Sequence, residues 1–206
     1  MDDDDLIEWL PGANTEPPVL LLQGTGGTNQ EILTFGRRLA PQSPLMTVAG
    51  RQGIGAQRQY FRQTAAGAIN AEQVATEAQW IGRMALQMCT EQHWESQRLV
   101  VIGYSNGAAM AAYGVQTGAI PATTAVLFHP LWLAAPSIQE RPDLAAWLSA
   151  GRRDPLVSVG TVSQVESACK KTGGTTKLEV TNGSHQLTPQ EVLAARLWLT
   201  RQIGNS

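Results

Sequence analysis

The chain carries little charge of either sign, and this scarcity excludes two classes of partner. Its 206 residues include 15 Lys and Arg against 17 Asp and Glu, which gives a net charge of −2. A surface without excess positive charge neither neutralises the phosphates of nucleic acid nor binds an anionic membrane. Its apolar runs are also shorter than the roughly 20 residues of a membrane-spanning helix. We therefore expect no nucleic acid partner and no membrane span.

Cysteine is scarce as well. The two cysteines, Cys89 and Cys169, have no C-x-x-C spacing, so the sequence indicates neither a disulfide framework nor a zinc site. The N-terminus opens with Asp2 to Asp5 and lacks the basic and apolar regions of a secretion signal. We predict a cytoplasmic protein with no metal and no cofactor, in which residues 1–5 form a disordered acidic tail.

What the chain does have is an alternation of short apolar runs and longer helical patterns over residues 6–206. This alternation predicts a single α/β domain, with a mostly parallel central sheet and helices on both faces. The first strand precedes a connection too short for a helical crossover, so we expect it to be antiparallel at an edge. No insertion is large enough for a lid. The predicted strands are 6–10, 19–23, 45–49, 99–103, 125–128, 145–150 and 176–180.

Helix starts are marked by capping patterns. Thr28, Asn70 and Thr188 are each followed three residues later by Glu or Gln. These patterns predict helices that begin just after the three residues.

The strongest chemical motif is G-x-S-x-G, which spans Gly103 to Gly107 with Ser105 at its centre. It follows the predicted strand 99–103 and precedes the Ala-rich segment 108–112, which predicts a helix. A serine on a tight turn between strand and helix is held exposed above the sheet, and the turn needs glycine on both sides. We interpret Ser105 as a nucleophile, with an ordinary helix-capping serine as the alternative.

A serine hydroxyl needs a histidine base, and the chain has three histidines. In an α/β domain with its serine on such a turn, the expected order along the chain is Ser, acid, His. His93 precedes Ser105, and His129 precedes the best candidate acid, Asp154. His185, in a loop between the last strand and the final helix, therefore remains as the predicted base.

Asp154 is the predicted acid because it follows strand 145–150, where an open α/β sheet presents its ligand-facing groups. Asp143 precedes that strand and is expected at the opposite edge of the sheet. We therefore predict that Asp154 orients His185.

Acyl transfer also needs N–H donors for the developing oxyanion. The amide of Asn106, directly after the nucleophile, is one candidate. The amide of Thr25, in the Gly-rich segment 23–27, is the other. That segment lacks both the G-x-G-x-x-G spacing and the lysine of a nucleotide-binding loop.

Together these motifs resemble the phospholipase/carboxylesterase branch of the α/β-hydrolase superfamily, which includes acyl-protein thioesterases. The residues around Ser105 most resemble those of small bacterial esterases of the hydroquinone and catechol stress subgroup. The matching segments are 21–27 for the oxyanion loop, 103–108 for the nucleophile, 150–155 for the acid and 184–187 for the histidine.

The chain departs from that branch at two positions. Gln23 stands where the branch usually has histidine, which leaves the shape of the oxyanion loop open. His129 stands where the bacterial subgroup tends to have arginine. It closes a strand and is placed either to reach the substrate or to bond a loop carbonyl.

The substrate pocket is the least specified part of the prediction. Mainly apolar walls would suit a small acyl or aryl group. Trp132 has a further interpretation, as part of a hydrophobic rim used for a homodimer contact or for substrate entry. The predicted lining residues are Gly26, Phe61, Tyr104, His129, Trp132, Leu156 and Val157.

The resulting hypothesis is a serine hydrolase acting on small carboxylic esters or thioesters through an acyl-enzyme on Ser105. Two alternatives stay open. One is a dienelactone-hydrolase-like or C–C-bond hydrolase on the same scaffold, although dienelactone hydrolases usually carry cysteine as the nucleophile. The other is a non-catalytic binding module that retains the fold.

Overall fold

In the computed structural model, residues 6–63, 67–135 and 137–204 are described. All seven predicted strands are present, and their ends differ from the predicted ones by at most one residue. The strands are β1 (Ile7–Leu10), β2 (Val19–Leu22), β3 (Leu45–Val48), β4 (Val100–Tyr104), β5 (Thr124–Phe128), β6 (Ala145–Gly151) and β7 (Thr175–Thr181).

These strands form one sheet in the order β1-β3-β2-β4-β5-β6-β7. Strand β1 runs antiparallel to β3 at the edge, as predicted, and the other pairs are parallel. The residues of β2 and β5 are all buried, because these strands are covered on both faces. Parallel strands end at one edge of the sheet, so the loops that follow β2, β4, β6 and β7 meet there.

Helices cover both faces of the sheet. One face packs against α1 and α5, and the other packs against α2, α3 and α4. The helices are α1 (Asn29–Leu39), α2 (Ala71–Glu91), α3 (Asn106–Thr117), α4 (Val159–Lys171) and α5 (Pro189–Ile203).

The predicted helix starts are confirmed. Thr28 and Thr188 form capping boxes with Glu31 and Glu191, and Asn70 accepts a hydrogen bond from a backbone amide of α2. Each cap satisfies amide groups that the first turn of a helix leaves without partners.

Three predictions remain, on the N-terminal tail, a membrane span and a lid. Residues 1–5, the predicted acidic tail, lie outside the described residues. None of the described helices is long and apolar enough to cross a membrane. In the described part of the chain, no helical insertion covers the edge of the sheet where β4 and β6 end.

Candidate active site

Ser105 occupies a strained turn between β4 and α3. Its backbone angles are φ 53° and ψ −114°, a conformation that few residues other than glycine adopt. The flanking glycines permit the turn. A Cβ on Gly103 would lie 2.6 Å from Ala108 Cα, and a Cβ on Gly107 would lie 2.3 Å from the Leu22 carbonyl oxygen. Ser105 is the N-cap residue of α3, but its side chain does not cap the helix and remains available for other contacts.

The structure brings the three predicted residues Ser105, His185 and Asp154 together. His185 Nε2 lies 2.9 Å from Ser105 Oγ, and His185 Nδ1 lies 2.7 Å from Asp154 Oδ2. An ionised carboxylate only accepts hydrogen bonds, so the proton of a neutral His185 belongs on Nδ1. Nε2 then accepts a hydrogen bond from the Ser105 hydroxyl, as a general base requires.

Asp154 is ionised at neutral pH because its surroundings supply donors. Burial alone would raise its pKa, but hydrogen bonds from His185, the Val157 amide, His129 and the Leu156 amide lower the pKa to about 2. The two amides lie 2.8 and 2.9 Å from Oδ1 and leave Oδ2 to the imidazoles. The carboxylate is therefore fixed on both of its oxygens.

The predicted oxyanion donors are the backbone amides of Asn106 and Thr25. Asn106 is the first residue of α3, so its N–H has no partner within the helix. Thr25 follows β2, and both residues line the same cavity as Ser105. Gln23, where histidine was expected, is buried and donates from Nε2 to the Gly27 carbonyl at 3.0 Å. This amide braces the loop that contains Thr25.

The cavity at Ser105 has a volume of about 310 Å³. Three predicted residues line it, namely Phe61, Leu156 and Val157. Gln59, Gln63 and Leu131 also line it and were not predicted. The two glutamines belong to the irregular segment that follows β3, and their amide composition gave no signal that separates a pocket wall from a surface loop.

The side chain of Asn106 holds that segment against the site. Its Oδ1 accepts a hydrogen bond from the Tyr60 amide at 2.8 Å, and its Nδ2 donates to the Phe61 carbonyl at 3.2 Å. The Tyr60 hydroxyl donates to the Val48 carbonyl at 2.8 Å. These contacts place Phe61 beside Ser105.

Three other predicted pocket residues lie outside the lining of this cavity. Tyr104 donates its hydroxyl to the His185 carbonyl at 3.0 Å, and its ring centroid lies 5.4 Å from that of His185. Trp132 lines two other cavities, one beside α4 and one at the start of α2. Gly26 has no side chain and uses its amide to bond the Arg58 carbonyl at 2.8 Å.

The prediction that His129 lines the substrate pocket is also wrong. Its side chain is fully buried and cannot reach a substrate in the cavity. Its backbone has φ 50°, which turns the ring inward beneath Asp154. Nδ1 lies 2.9 Å from Asp154 Oδ2, and Nε2 lies 2.8 Å from Glu191 Oε1. Its partners are thus two carboxylates, and not a loop carbonyl.

Among the described residues, one cluster has the composition of a metal site. The ligand-type atoms of His129, Asp154 and His185 lie within 4.8 Å of one another. Asp154 Oδ2 lies at hydrogen-bond distance from both imidazoles, so these atoms already satisfy one another. The arrangement fits proton transfer at His185, and the absence of a metal stays a prediction.

Comparison with known proteins agrees with this architecture. The fold is the α/β-hydrolase fold, as predicted. A carboxylesterase of Bacillus cereus superposes with a TM-score of 0.89 at 24% identity, covering 95% of this chain and 93% of the other. The protein Atu2452 of Agrobacterium tumefaciens, of unknown function, superposes with a TM-score of 0.84 at 28% identity and 98% coverage of both chains.

The family follows from the sequence match. The profile of the dienelactone hydrolase family matches residues 9–186, and the chain belongs to this family. It is therefore an esterase-type hydrolase, since a lactone is a cyclic ester. The Bacillus subtilis protein MhqD, which is named as a hydrolase, is 25% identical over 186 residues, covering 90% of this chain and 93% of MhqD.

Proposed function

We propose that this protein is a serine hydrolase that cleaves small, uncharged carboxylic esters or thioesters. The proposal depends above all on the hydrogen-bonded chain from Ser105 to His185, at 2.9 Å, and from His185 to Asp154, at 2.7 Å. A serine nucleophile needs a base within hydrogen-bond reach and an acid that orients the base. This chain of contacts supplies both.

The reaction proceeds through two acyl transfers. Ser105 Oγ attacks the carbonyl carbon while His185 Nε2 takes the hydroxyl proton. The tetrahedral intermediate then collapses, and His185 returns that proton to the leaving alcohol or thiol. Water repeats the sequence on the acyl-enzyme and releases the acid. The amides of Thr25 and Asn106 bind the oxyanion in both halves, and each donor contributes on the order of 3 kcal/mol.

The cavity supports a small and neutral substrate. Its volume of about 310 Å³ lies at the lower end of the range of roughly 300–1,000 Å³ typical of ligand pockets. Apolar walls and two glutamine amides face the nucleophile. In the described part of the chain, no charged side chain lines this cavity. A carboxylate on the acyl group would therefore lose its hydration without gaining a counter-ion.

A lactone is the second candidate substrate, and the family match supports it. Ring opening follows the same steps, except that the leaving alcohol stays tethered to the acyl group. Neither the family match nor the lining of the cavity gives the C–C-bond alternative comparable support.

The test compares wild type with Ser105→Ala on p-nitrophenyl acetate, butyrate and octanoate, a matched thioester series and a simple lactone. We expect hydrolysis that favours acetate and butyrate over octanoate. Removal of the nucleophile lowers kcat by at least about 10⁴-fold, as loss of a catalytic serine does elsewhere. Ser167→Ala, which changes an exposed serine of α4, is the matched control and retains wild-type rates.

Covalent labelling separates the remaining outcomes. A fluorophosphonate should add one adduct to wild type and to Ser167→Ala, and none to Ser105→Ala, as read by intact mass. Labelling without ester hydrolysis would contradict the substrate class but not the nucleophile. Absence of both would favour the non-catalytic module.

A further inference from the structure

The site contains two imidazoles on one carboxylate, and the mechanism uses only one of them. His129 and His185 both contact Asp154 Oδ2, at 2.9 and 2.7 Å. Behind His129 lies Glu191, whose Oε1 is 2.8 Å from His129 Nε2. The side chains of His129, Asp154 and Glu191 are each at most 1% exposed. Groups so fully desolvated stay ionised only where each charge meets an opposite charge or a hydrogen-bond donor.

The hydrogen-bond roles determine that charge. Asp154 is ionised and accepts only, so His129 Nδ1 carries a proton. If Glu191 is ionised too, Nε2 also carries one, and the ring is an imidazolium. Burial alone would lower the pKa of His129, but the hydrogen bonds and charges of Glu191 and Asp154 raise it above its ordinary value. Burial likewise acts to raise the pKa of Glu191, and the hydrogen bond from His129 leads the contacts that lower it.

Glu191 is placed more deeply than its capping role requires. In the α1 capping box, Glu31 is exposed and its carboxylate accepts hydrogen bonds from Thr28 alone. In the α5 capping box, Oε2 of Glu191 lies 3.4 Å from the Thr188 amide, and Oε1 is left for His129. Because α5 begins directly after the loop that contains His185, this contact ties that loop to His129 and Asp154.

We propose that His129, held as a cation between Asp154 and Glu191, is a positioning residue that fixes the Asp154 carboxylate on which His185 is oriented. The proposal rests on the serine hydrolase function proposed above. The His129 and His185 rings lie 5.4 Å apart between centroids and share Asp154 Oδ2. A hydrogen bond donated by a cation is stronger than one donated by a neutral ring, so the charge on His129 holds Asp154 Oδ2 where His185 Nδ1 meets it.

Four titratable side chains of the described residues surround the His129 ring. Asp154 approaches from the loop after β6, Glu191 from α5 and His185 from the loop after β7. The fourth is Tyr104 of β4, whose ring centroid is 6.4 Å away. Burial raises the pKa of Tyr104, so the phenol is neutral and adds no charge at neutral pH.

The decisive variant is Glu191→Gln. Glutamine also completes a capping box, so α5 keeps its first turn. A neutral His129 can then donate to Asp154 from Nδ1 and accept at Nε2 from the new amide, which preserves the geometry and removes the cation. We expect kcat to fall by about 10-fold with KM unchanged, because a neutral ring donates a weaker hydrogen bond to Asp154 than the cation does. Glu31→Gln, the same change in the α1 capping box, leaves kcat unchanged.

A second measurement does not depend on turnover. The chain has only three histidines, so imidazole ¹⁵N spectra are assigned with single variants. At pH 8 we expect both ring nitrogens of His129 to carry a hydrogen in wild type, and only one to do so in Glu191→Gln. One hydrogen in wild type would mean a neutral ring beside a protonated Glu191 and would overturn the proposal.

The kinetics can overturn it as well. A wild-type kcat in folded Glu191→Gln would show that the charge on His129 plays no part in positioning Asp154. If that variant does not fold, His129→Asn replaces it, because asparagine tolerates a positive φ and keeps a donor near the Nδ1 position. We expect His129→Asn to lower kcat at least as much. Failure of ester hydrolysis in wild type would contradict the proposed function and leave the spectra to decide on His129.

Discussion

The stability of this protein should depend on pH through Asp154. The pKa of this carboxyl falls from an ordinary 3.8 to about 2 in the folded chain. A group whose pKa is lowered by folding stabilises the folded state above its unfolded pKa and loses that contribution as the pH falls through its folded pKa. At about 1.4 kcal/mol per pKa unit, the contribution is about 2 kcal/mol at pH 5 and is mostly lost at pH 2.

Asp154→Asn isolates this contribution because the amide does not titrate. We expect the stability of wild type to fall relative to that of the variant by about 2 kcal/mol between pH 5 and pH 2. Urea unfolding at each pH, followed by the fluorescence of the six tryptophans, measures the difference. The comparison depends on the change with pH, so a constant cost of placing an amide beside two imidazoles cancels.

Asp143→Asn is the control for a surface aspartate. Asp143 pairs with Arg141 at 3.1 Å, but its side chain is half-exposed, so water and salt screen the interaction. We expect a much smaller pH dependence from it. If the free energies of unfolding of wild type and Asp154→Asn changed in parallel from pH 5 to pH 2, the hydrogen bonds at Asp154 would not stabilise its ionised form, and the reasoning would be refuted.

Two further predictions concern packing. Gly107→Ala should abolish activity and lower the Tm, because its new Cβ would lie 2.3 Å from the Leu22 carbonyl oxygen. Gly160→Ala, in the first turn of α4, should instead stabilise by about 0.4–1 kcal/mol, because its new Cβ would meet only Ser158 Oγ, at an ordinary 3.6 Å, and a loss of stability there would contradict the contrast. The thiols of Cys89 and Cys169, whose pKa burial raises to about 11, should react with a disulfide reagent only after unfolding. Rapid labelling of the native protein would disprove this.

Much of the fold was predictable because its signals are local. Continuous apolar runs such as Val19–Leu22 indicate strands buried on both faces, and the structure places them in the middle of the sheet. The G-x-S-x-G motif is also a local signal, since its glycines lie where a Cβ would collide with neighbouring backbone. Once the strands are placed, the loops that contain Asp154 and His185 must meet at one edge of the sheet.

The direction of individual side chains was harder to predict. Tyr104 and Phe61 were both expected in the pocket, yet only Phe61 lines it. Phe61 is placed by two hydrogen bonds between the Asn106 side chain and the backbone of residues 60 and 61, across 45 or more positions of the chain. Neither periodicity nor propensity contains information on such a contact, because it depends on how two distant loops pack.

His129 shows where reasoning by elimination reaches its limit. The order of residues along the chain assigned the base to His185 and left two interpretations of His129 open, a substrate contact or a bond to a loop carbonyl. One backbone rotation, φ 50°, directs its ring inward, and no sequence pattern distinguishes a histidine with positive φ from one without. Glu191 was already explained by its capping box, so nothing in the sequence called for a second partner. A buried imidazole between two carboxylates is detectable only when all three side chains are seen together, because each residue alone has a sufficient local explanation.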